Sequence, residues 1–286
     1  MKRGKVPIIF LIYNRPDITK QTLKMISTYQ PECMYVVADG PKNDQDNELC
    51  IQTRALFDNL DWDCKVFKNF ADTNLKCGVR VSSGISWAFE TCDKAIILED
   101  DCLPDPTFFR FCEELLEKYE DNPRIGIISG TQRQINLNIK ESYYFSKLPN
   151  IGGWATWKRT WKTYDFNMSN WPKYRKILWL FKQTGSLAYA RKRRKINDKV
   201  YNGQIDTWAY QFTFMSWQQN LINISPKSNL ISNIGFDSRA THITDPSHKY
   251  SANPTIPMEF PLIHPNFIFQ NIQNDFREAQ HRLQNN

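Results

Sequence analysis

Between residues 6 and 130 the chain alternates short apolar runs with amphipathic stretches, and few architectures accept that pattern. Val6 to Tyr13, the run "CMYVVADGPK", the segment "DCKVFKNF" and "KAIILEDD" each read as a strand. Between them, Asp17 to Thr28, Glu48 to Leu60 and the stretch after "TNLKCGV" carry helical spacing. A further helix, amphipathic through Phe108, Phe109, Phe111, Leu115 and Leu116, precedes a fifth strand from Ile125 to Ser129. Strands that are apolar throughout and separated by helices imply an α/β fold with a mostly parallel central sheet covered on both faces. After about residue 130 the alternation fades into aromatic and polar sequence, which suits a second lobe built onto the same sheet.

At 286 residues the chain has room for one large core. A composition of 41% hydrophobic and 14% aromatic residues excludes collagen-like and wholly disordered chains. The start, "MKRGKVPIIFLIYNRPD", has too short an apolar run for a secretory signal and no small-residue cleavage site. No segment approaches the roughly 20 apolar residues of a membrane span. Seven cysteines, odd in number and without a C-x-x-C pair, read as small buried hydrophobes rather than a disulfide framework or zinc site. A cytoplasmic location is expected, with contact at the inner face of the membrane as an option.

In open parallel sheets ligands bind beyond the carboxyl ends of the strands. Three strands here deliver polar residues there: Asn14-Arg15, Asp39 and Glu99-Asp100-Asp101. Adjacent carboxylates repel by roughly 4 kcal/mol for a pair 4 Å apart at an effective dielectric of 20. At a sheet rim with little water, a divalent cation is the economical counter-charge, and Mg2+ or Mn2+ held by one or two carboxylates and a nucleotide diphosphate satisfies it. The plain alternative is an acidic turn capping the helix that begins near Thr107.

Strand, "EDD", Pro-Asp-Pro-x-Phe-Phe and helix together resemble the GT-A glycosyltransferases, most closely the N-acetylglucosaminyltransferase I-like branch. "FLIYNRPD" and "VVADGPK" are similar to the first two strands of family 2-type enzymes of the same fold. The resemblance covers residues 6 to 130 and is loose beyond; residues 130 to 200 do not align. It implies a nucleotide-diphospho-sugar transferase fold, Rossmann-like, with residues 1–130 as the donor-binding half. Residues 131–270 would form an aromatic-rich acceptor and catalytic half of the same domain, and 271–286 an Asn/Gln-rich tail with fraying ends.

The resemblance implies a metal-dependent transfer from a nucleotide sugar, UDP-linked, to a glycan or lipid-linked glycan of the bacterial surface type. Asp101 would bind Mn2+ or Mg2+, Asp100 and Glu99 would meet sugar and ribose, and Asp39 the uridine side. Asn74, Lys76 and Arg80 would contact base and diphosphate, or form a solvated basic turn. "NIGGWATWKRTW" resembles a pocket-lining Gly-Trp segment, which puts Trp154 at the donor site or else in the core. His242 in "NIGFDSRATHI" would complete the metal shell or remain a surface histidine, with His248 a weaker competitor.

An inverting transferase needs one base at the acceptor hydroxyl. Asp206 in "YNGQIDTWAYQF", in an aromatic setting, is that candidate, and the N-cap of a helix starting at Thr207 is its other reading. The basic run 191–199, "RKRRKINDK", follows "KYRKILWLFKQTGSLAY"; the pair suits an anionic membrane surface or a solvated helix. Two competing functions stay open: a sugar-1-phosphate nucleotidyltransferase, and a non-catalytic protein binding anions or nucleic acid through that run. No P-loop or G-x-G-x-x-G is present and no nucleic-acid motif is recognised, so a nucleic-acid partner is not expected.

Overall fold

The computed structural model describes residues 4–134, 137–236, 239 and 251–284. Its first half runs β1 (Ile8–Ile12), α1 (Pro16–Tyr29), β2 (Cys33–Ala38), α2 (Asp44–Ala55), β3 (Lys65–Phe70), α3 (Lys76–Ala88) and β4 (Lys94–Glu99). Then come β5 (Cys102–Pro104), α4 (Pro106–Lys118) and β6 (Ile125–Ser129). The second half continues with β7 (Tyr143–Ser146), β8 (Trp154–Trp157) and the one-turn helices α5 (Lys158–Trp161) and α6 (Trp171–Tyr174). It ends with α7 (Ile177–Thr184), α8 (Leu187–Tyr201), α9 (Ala209–Gln218), β9 (Ile222–Pro226), β10 (Ile231–Asn233) and α10 (Ile272–Gln284).

Eight strands form one sheet in the order β3-β2-β1-β4-β8-β6-β9-β7. β1 pairs in parallel with both β2 and β4, so the carboxyl ends of these three strands open on the same rim. β8 enters antiparallel between β4 and β6. The alternation therefore fades in sequence near residue 130, but the sheet does not end there.

Each face of the sheet has its own core, as the two-residue period of a strand requires. Ile8, Phe10, Met34, Val36, Ile96 and Leu98 pack with Phe108, Phe111, Leu115 and Leu116 of α4. Ile9, Leu11, Val37 and Ile97 meet Val81 and Ile85 of α3, Trp154, and Phe212 and Met215 of α9. A third cluster, including Trp171, Leu180, Tyr189, Phe214, Trp217 and Ala279, closes the helical lobe.

Local chemistry sets the helix starts. α1 has Pro16 in its first turn, where a missing N–H costs nothing. α2 begins earlier than the apolar pattern implies, because the Asn43 side chain accepts the Asp46 N–H at 2.9 Å. α4 is capped by Asp105, which accepts from the Thr107 N–H at 2.9 Å, so the triplet 99–101 is not the cap.

The 271–286 segment departs furthest from a frayed tail. Residues 272–284 form α10, whose Asn274, Asp275, Glu278 and Ala279 are buried. Asp275 takes the Ser146 hydroxyl, the Lys147 N–H at 2.8 Å and the Gln270 amide at 2.8 Å. Burial pushes its carboxyl up to about 6 against these donors.

Candidate active site

Two cavities lie at the carboxyl rim. The first, of 420 Å3, is lined by Tyr13, Asn14 and Arg15 after β1, Asp39 and Lys42 after β2, Asn74, Lys76, Cys77 and Arg80 around the start of α3, and Glu99 and Asp100. Asp206 and Arg239 complete its wall from the second half of the chain. The second, of 570 Å3, lies between the sheet and the helical lobe and shares Cys77 and Glu99 with the first. Both volumes fall in the range of small-molecule sites, roughly 300–1,000 Å3.

Arg15 organises the acidic triplet. It donates from Nη2 to Asp100 Oδ1 and from Nε to Asp100 Oδ2 at 3.3 Å. Nη2 also reaches Asp101 Oδ2 at 3.0 Å. The guanidinium, placed 85 residues from its partners, thus supplies part of the counter-charge that the sequence assigns to a cation. Burial would lower Arg15, but Asp100 and Asp101 hold it above its ordinary value. Burial and the charges of Asp101 and Asp100 push Glu99 upward. Burial also raises Asp100, with Arg15 pulling the other way. The Glu99 carboxylate makes no hydrogen bond to a described residue.

β5 and β10 fix the loop around the triplet. Their antiparallel pairing sets Cys102 opposite Asn233 and Pro104 opposite Ile231. Ile234 N–H then donates to Asp101 O at 2.9 Å, and Asn233 Nδ2 reaches Asp101 Oδ1 at 3.4 Å. A Cβ on Gly235 would lie 2.1 Å from Asp101 Oδ2, so only glycine admits this approach.

On the opposite wall, Asp39 accepts from the Gly40 and Leu75 N–H groups, each at 2.8 Å, and from Asn74 Nδ2 at 3.1 Å. Burial raises its carboxyl despite these bonds. Asn14 is held by Asp46, which also accepts from the Tyr13 hydroxyl and, at 2.8 Å, from the Lys42 N–H. Lys42 Nζ lies 5.2 Å from the Tyr13 ring centre. Asp46, Tyr13, Lys42 and Arg239 were not singled out by the sequence; an acidic residue inside "KNDQDNEL" carries no mark of its partners.

Arg80 lines the cavity and is bonded through two of its three nitrogens: Nε donates to Ala38 O at 3.0 Å, and Nη2 to the carbonyl and, at 2.8 Å, the side-chain oxygen of Asn69. These bonds tie α3 to the ends of β2 and β3. Trp154 belongs to the core and does not line the first cavity. It is 1% exposed on β8, stacked on Trp208 at 5.8 Å and packed on Phe212, because β8 is a central strand. His242 and His248 lie outside the described residues.

Asp206 does not cap the helix that follows it; α9 starts at Ala209. Its Oδ1 instead accepts from Gly78 N–H at 3.0 Å, in the first turn of α3. Ile205 and Thr207 line the second cavity while Asp206 lines the first, so this segment runs along their junction. A Cβ on Gly78 would meet Asp206 Oδ1 at 2.7 Å and Thr207 O at 2.8 Å.

Among the described residues no group of three or more His, Cys, Asp or Glu side chains could hold a metal ion. Among the described residues, Asp101 Oδ1 has only the long Asn233 contact and the Cys102 thiol at 3.7 Å. One loosely held carboxylate oxygen fits an ion that takes most of its shell from phosphate and water, and does not fit an all-protein cage.

No family model and no curated protein matches the chain. Among solved structures it is similar to S. aureus TarS 1–349, at 11% identity and a TM-score of 0.43, over 79% of this chain and 59% of that chain. It spans therefore about three fifths of that relative. It is also similar to the galactosyltransferase LgtC in complex with donor and acceptor sugar analogs, at 12% identity and a TM-score of 0.40, over 96% of each chain. A third likeness is to apo UDP-glucose pyrophosphorylase, at 10% identity and a TM-score of 0.37, over 79% of this chain and 93% of that one. At this distance none of them carries an argument about the site, which is read from its own residues.

Proposed function

We propose that this chain is a glycosyltransferase of the GT-A type that moves a sugar from a nucleotide diphosphate, UDP, to a glycan or lipid-linked glycan hydroxyl. The observation that carries the reading is the pair of cavities meeting at Glu99 and Cys77, beyond the carboxyl ends of β1, β2 and β4. A transferase needs such a pair, one for the donor and one for the acceptor, open to each other where the bond changes hands. A nucleotidyltransferase would also seat two substrates and is separated from transfer by its product, while the non-catalytic reading through residues 191–199 leaves the first cavity without a role.

In this reading the Asp39, Asn74 and Asp46 network holds the base and ribose in the first cavity. Lys42, Lys76 and Arg239 surround the diphosphate with positive charge. Asp101 is the residue that would hold Mn2+ or Mg2+, which when bound supplies Lewis-acid stabilisation of the leaving diphosphate. Asp206 serves as base: its Oδ1 is fixed by Gly78 N–H, and it takes the proton of the attacking hydroxyl as the sugar's anomeric bond to oxygen of the diphosphate breaks. The sugar then leaves with inverted configuration. Arg15 keeps Asp100 and Asp101 in place for this step.

The deciding experiment is calorimetric titration of UDP with manganese and with chelator, repeated on Asp101→Asn, followed by UDP release from UDP-sugars. Manganese-dependent binding that Asp101→Asn loses, with its far-UV circular dichroism unchanged, is expected. Absence of UDP binding in every condition overturns the reading, and pyrophosphate released from UTP and a sugar 1-phosphate would replace it with the nucleotidyltransferase.

We also propose that α7 meets a membrane surface. Leu178 is 75% exposed, with Phe181 and Leu187 also exposed among Lys176, Lys182 and Arg191. Apolar anchors ringed by cations are the composition of an interfacial helix. No helix among the described residues is long and apolar enough to cross a membrane.

A further inference from the structure

The second cavity contains an unusual buried charge. Arg193, on α8, is 4% exposed and lines the cavity wall. Its guanidinium carbon lies over the rings of Tyr210 and Trp217, 4.5 and 5.1 Å from their centres. Its Nε and Nη2 are buried and have no hydrogen-bond partner among the described residues. A guanidinium carries five donors in a plane, so stacking on rings leaves its edge unserved. Leaving a buried charged donor unpaired is among the more costly arrangements a fold can hold.

Neighbouring charges do not relieve it. Arg282 and Arg133 line the same cavity and share one carboxylate, Glu278, at 2.8 and 3.5 Å. Glu278 is 2% exposed and meets both arginines through Oε1, while its buried Oε2 has no hydrogen-bond partner among the described residues. The cavity wall thus holds three guanidinium groups against Glu278 behind it and Glu99 at its junction with the first cavity. The local excess is positive, in a space of 570 Å3 that takes a sugar residue or two.

We infer that this cavity binds an anionic glycan, one whose sugar carries a carboxylate or a phosphate, with the anion drawn to the wall that Arg193 forms with Arg133 and Arg282. Calling that glycan the acceptor rests on the glycosyltransferase reading; the anion site itself does not. The preference for an anion is set by Arg193, and Arg133 and Arg282 add long-range attraction.

The test uses the full chain and three glycosides: phenyl β-D-glucuronide, phenyl β-D-glucoside 6-phosphate and the neutral phenyl β-D-glucoside. Each is titrated calorimetrically with and without saturating UDP. At least one anionic glycoside should bind about tenfold or more tighter than the neutral one, equivalent to ~1.4 kcal/mol. Which of the two wins separates carboxylate from phosphate. Arg193→Gln should bring charged and neutral glycosides to equal affinity, and its far-UV circular dichroism reports whether the fold survives. Should that variant fail to fold, the comparison on the unaltered protein stands as the test. Equal affinities in the unaltered protein, no binding of either anionic glycoside, or an anion preference that persists in folded Arg193→Gln each overturn the inference. If UDP does not bind while the anionic preference is present, the glycosyltransferase reading falls and the anion site stands.

Discussion

Gly78 and Asp206 are 128 positions apart and yet decide each other's place. A methyl group at Gly78 would press on Asp206 Oδ1 and Thr207 O, both closer than side-chain carbons approach. Gly78→Ala should therefore push the 205–207 segment away from α3. The expected loss is roughly 1–3 kcal/mol of stability in urea. Sugar transfer should fall by tenfold or more while UDP affinity falls less, because the acceptor side of the junction moves; an equal loss in both would place Asp206 in donor binding instead. A second residue-scale prediction concerns Asp275, whose folded value near 6 lies above its ordinary one. For a raised carboxyl the contribution to stability is fully present below about pH 4 and is lost as pH rises through about 6, at most about 3 kcal/mol. Urea melts of the unaltered protein and Asp275→Asn should accordingly differ most near pH 4 and progressively less towards pH 7. A difference that stays flat across that interval would show that Asp275 keeps its charge at no cost.

At the scale of elements, the basic run and the segment before it separate into different roles. α8 turns Arg193 and Asn197 inward and Arg191, Lys195 and Lys199 outward, as a 3.6-residue period must. α7 buries Leu180 and leaves Leu178 and Phe181 outside. Sedimentation with vesicles containing phosphatidylglycerol should retain the protein at low salt, and Leu178→Glu should reduce that binding several-fold. Equal retention of both proteins would remove α7 as the membrane element. The pattern of Trp154 teaches the same lesson in reverse. A Gly-Trp segment reads as pocket lining by resemblance, but β8 enters the middle of the sheet and its side chains have only core to face.

Over the whole molecule, the two halves of the chain share one sheet, since β8 binds β4 on one side and β6 on the other. Unfolding should be a single transition. All but Trp62 and Trp87 of the nine tryptophans lie beyond residue 130, so fluorescence reports the second half while far-UV circular dichroism reports both. The two urea curves should coincide; midpoints that separate would mean the halves unfold independently. Apolar runs and their spacing were enough to read the strands of the first half, the rim on which their polar ends gather, and the EDD triplet with Asn14, Arg15 and Asp39 upon it. These are local properties: a strand buried on both faces must be apolar throughout, and a polar residue at its end must leave the core. Which cation meets the triplet, which residue holds Asn14, what Asp206 caps and which arginine of a basic run is buried were decided only by the tertiary structure. Each is a contact between segments 30 or more positions apart in most cases, such as Arg15 with Asp100, Asn14 with Asp46 and Asp206 with Gly78. Such pairs leave no periodic trace in the sequence, because the partner's identity depends on which strand lies next to which, and strand order is a property of the folded sheet.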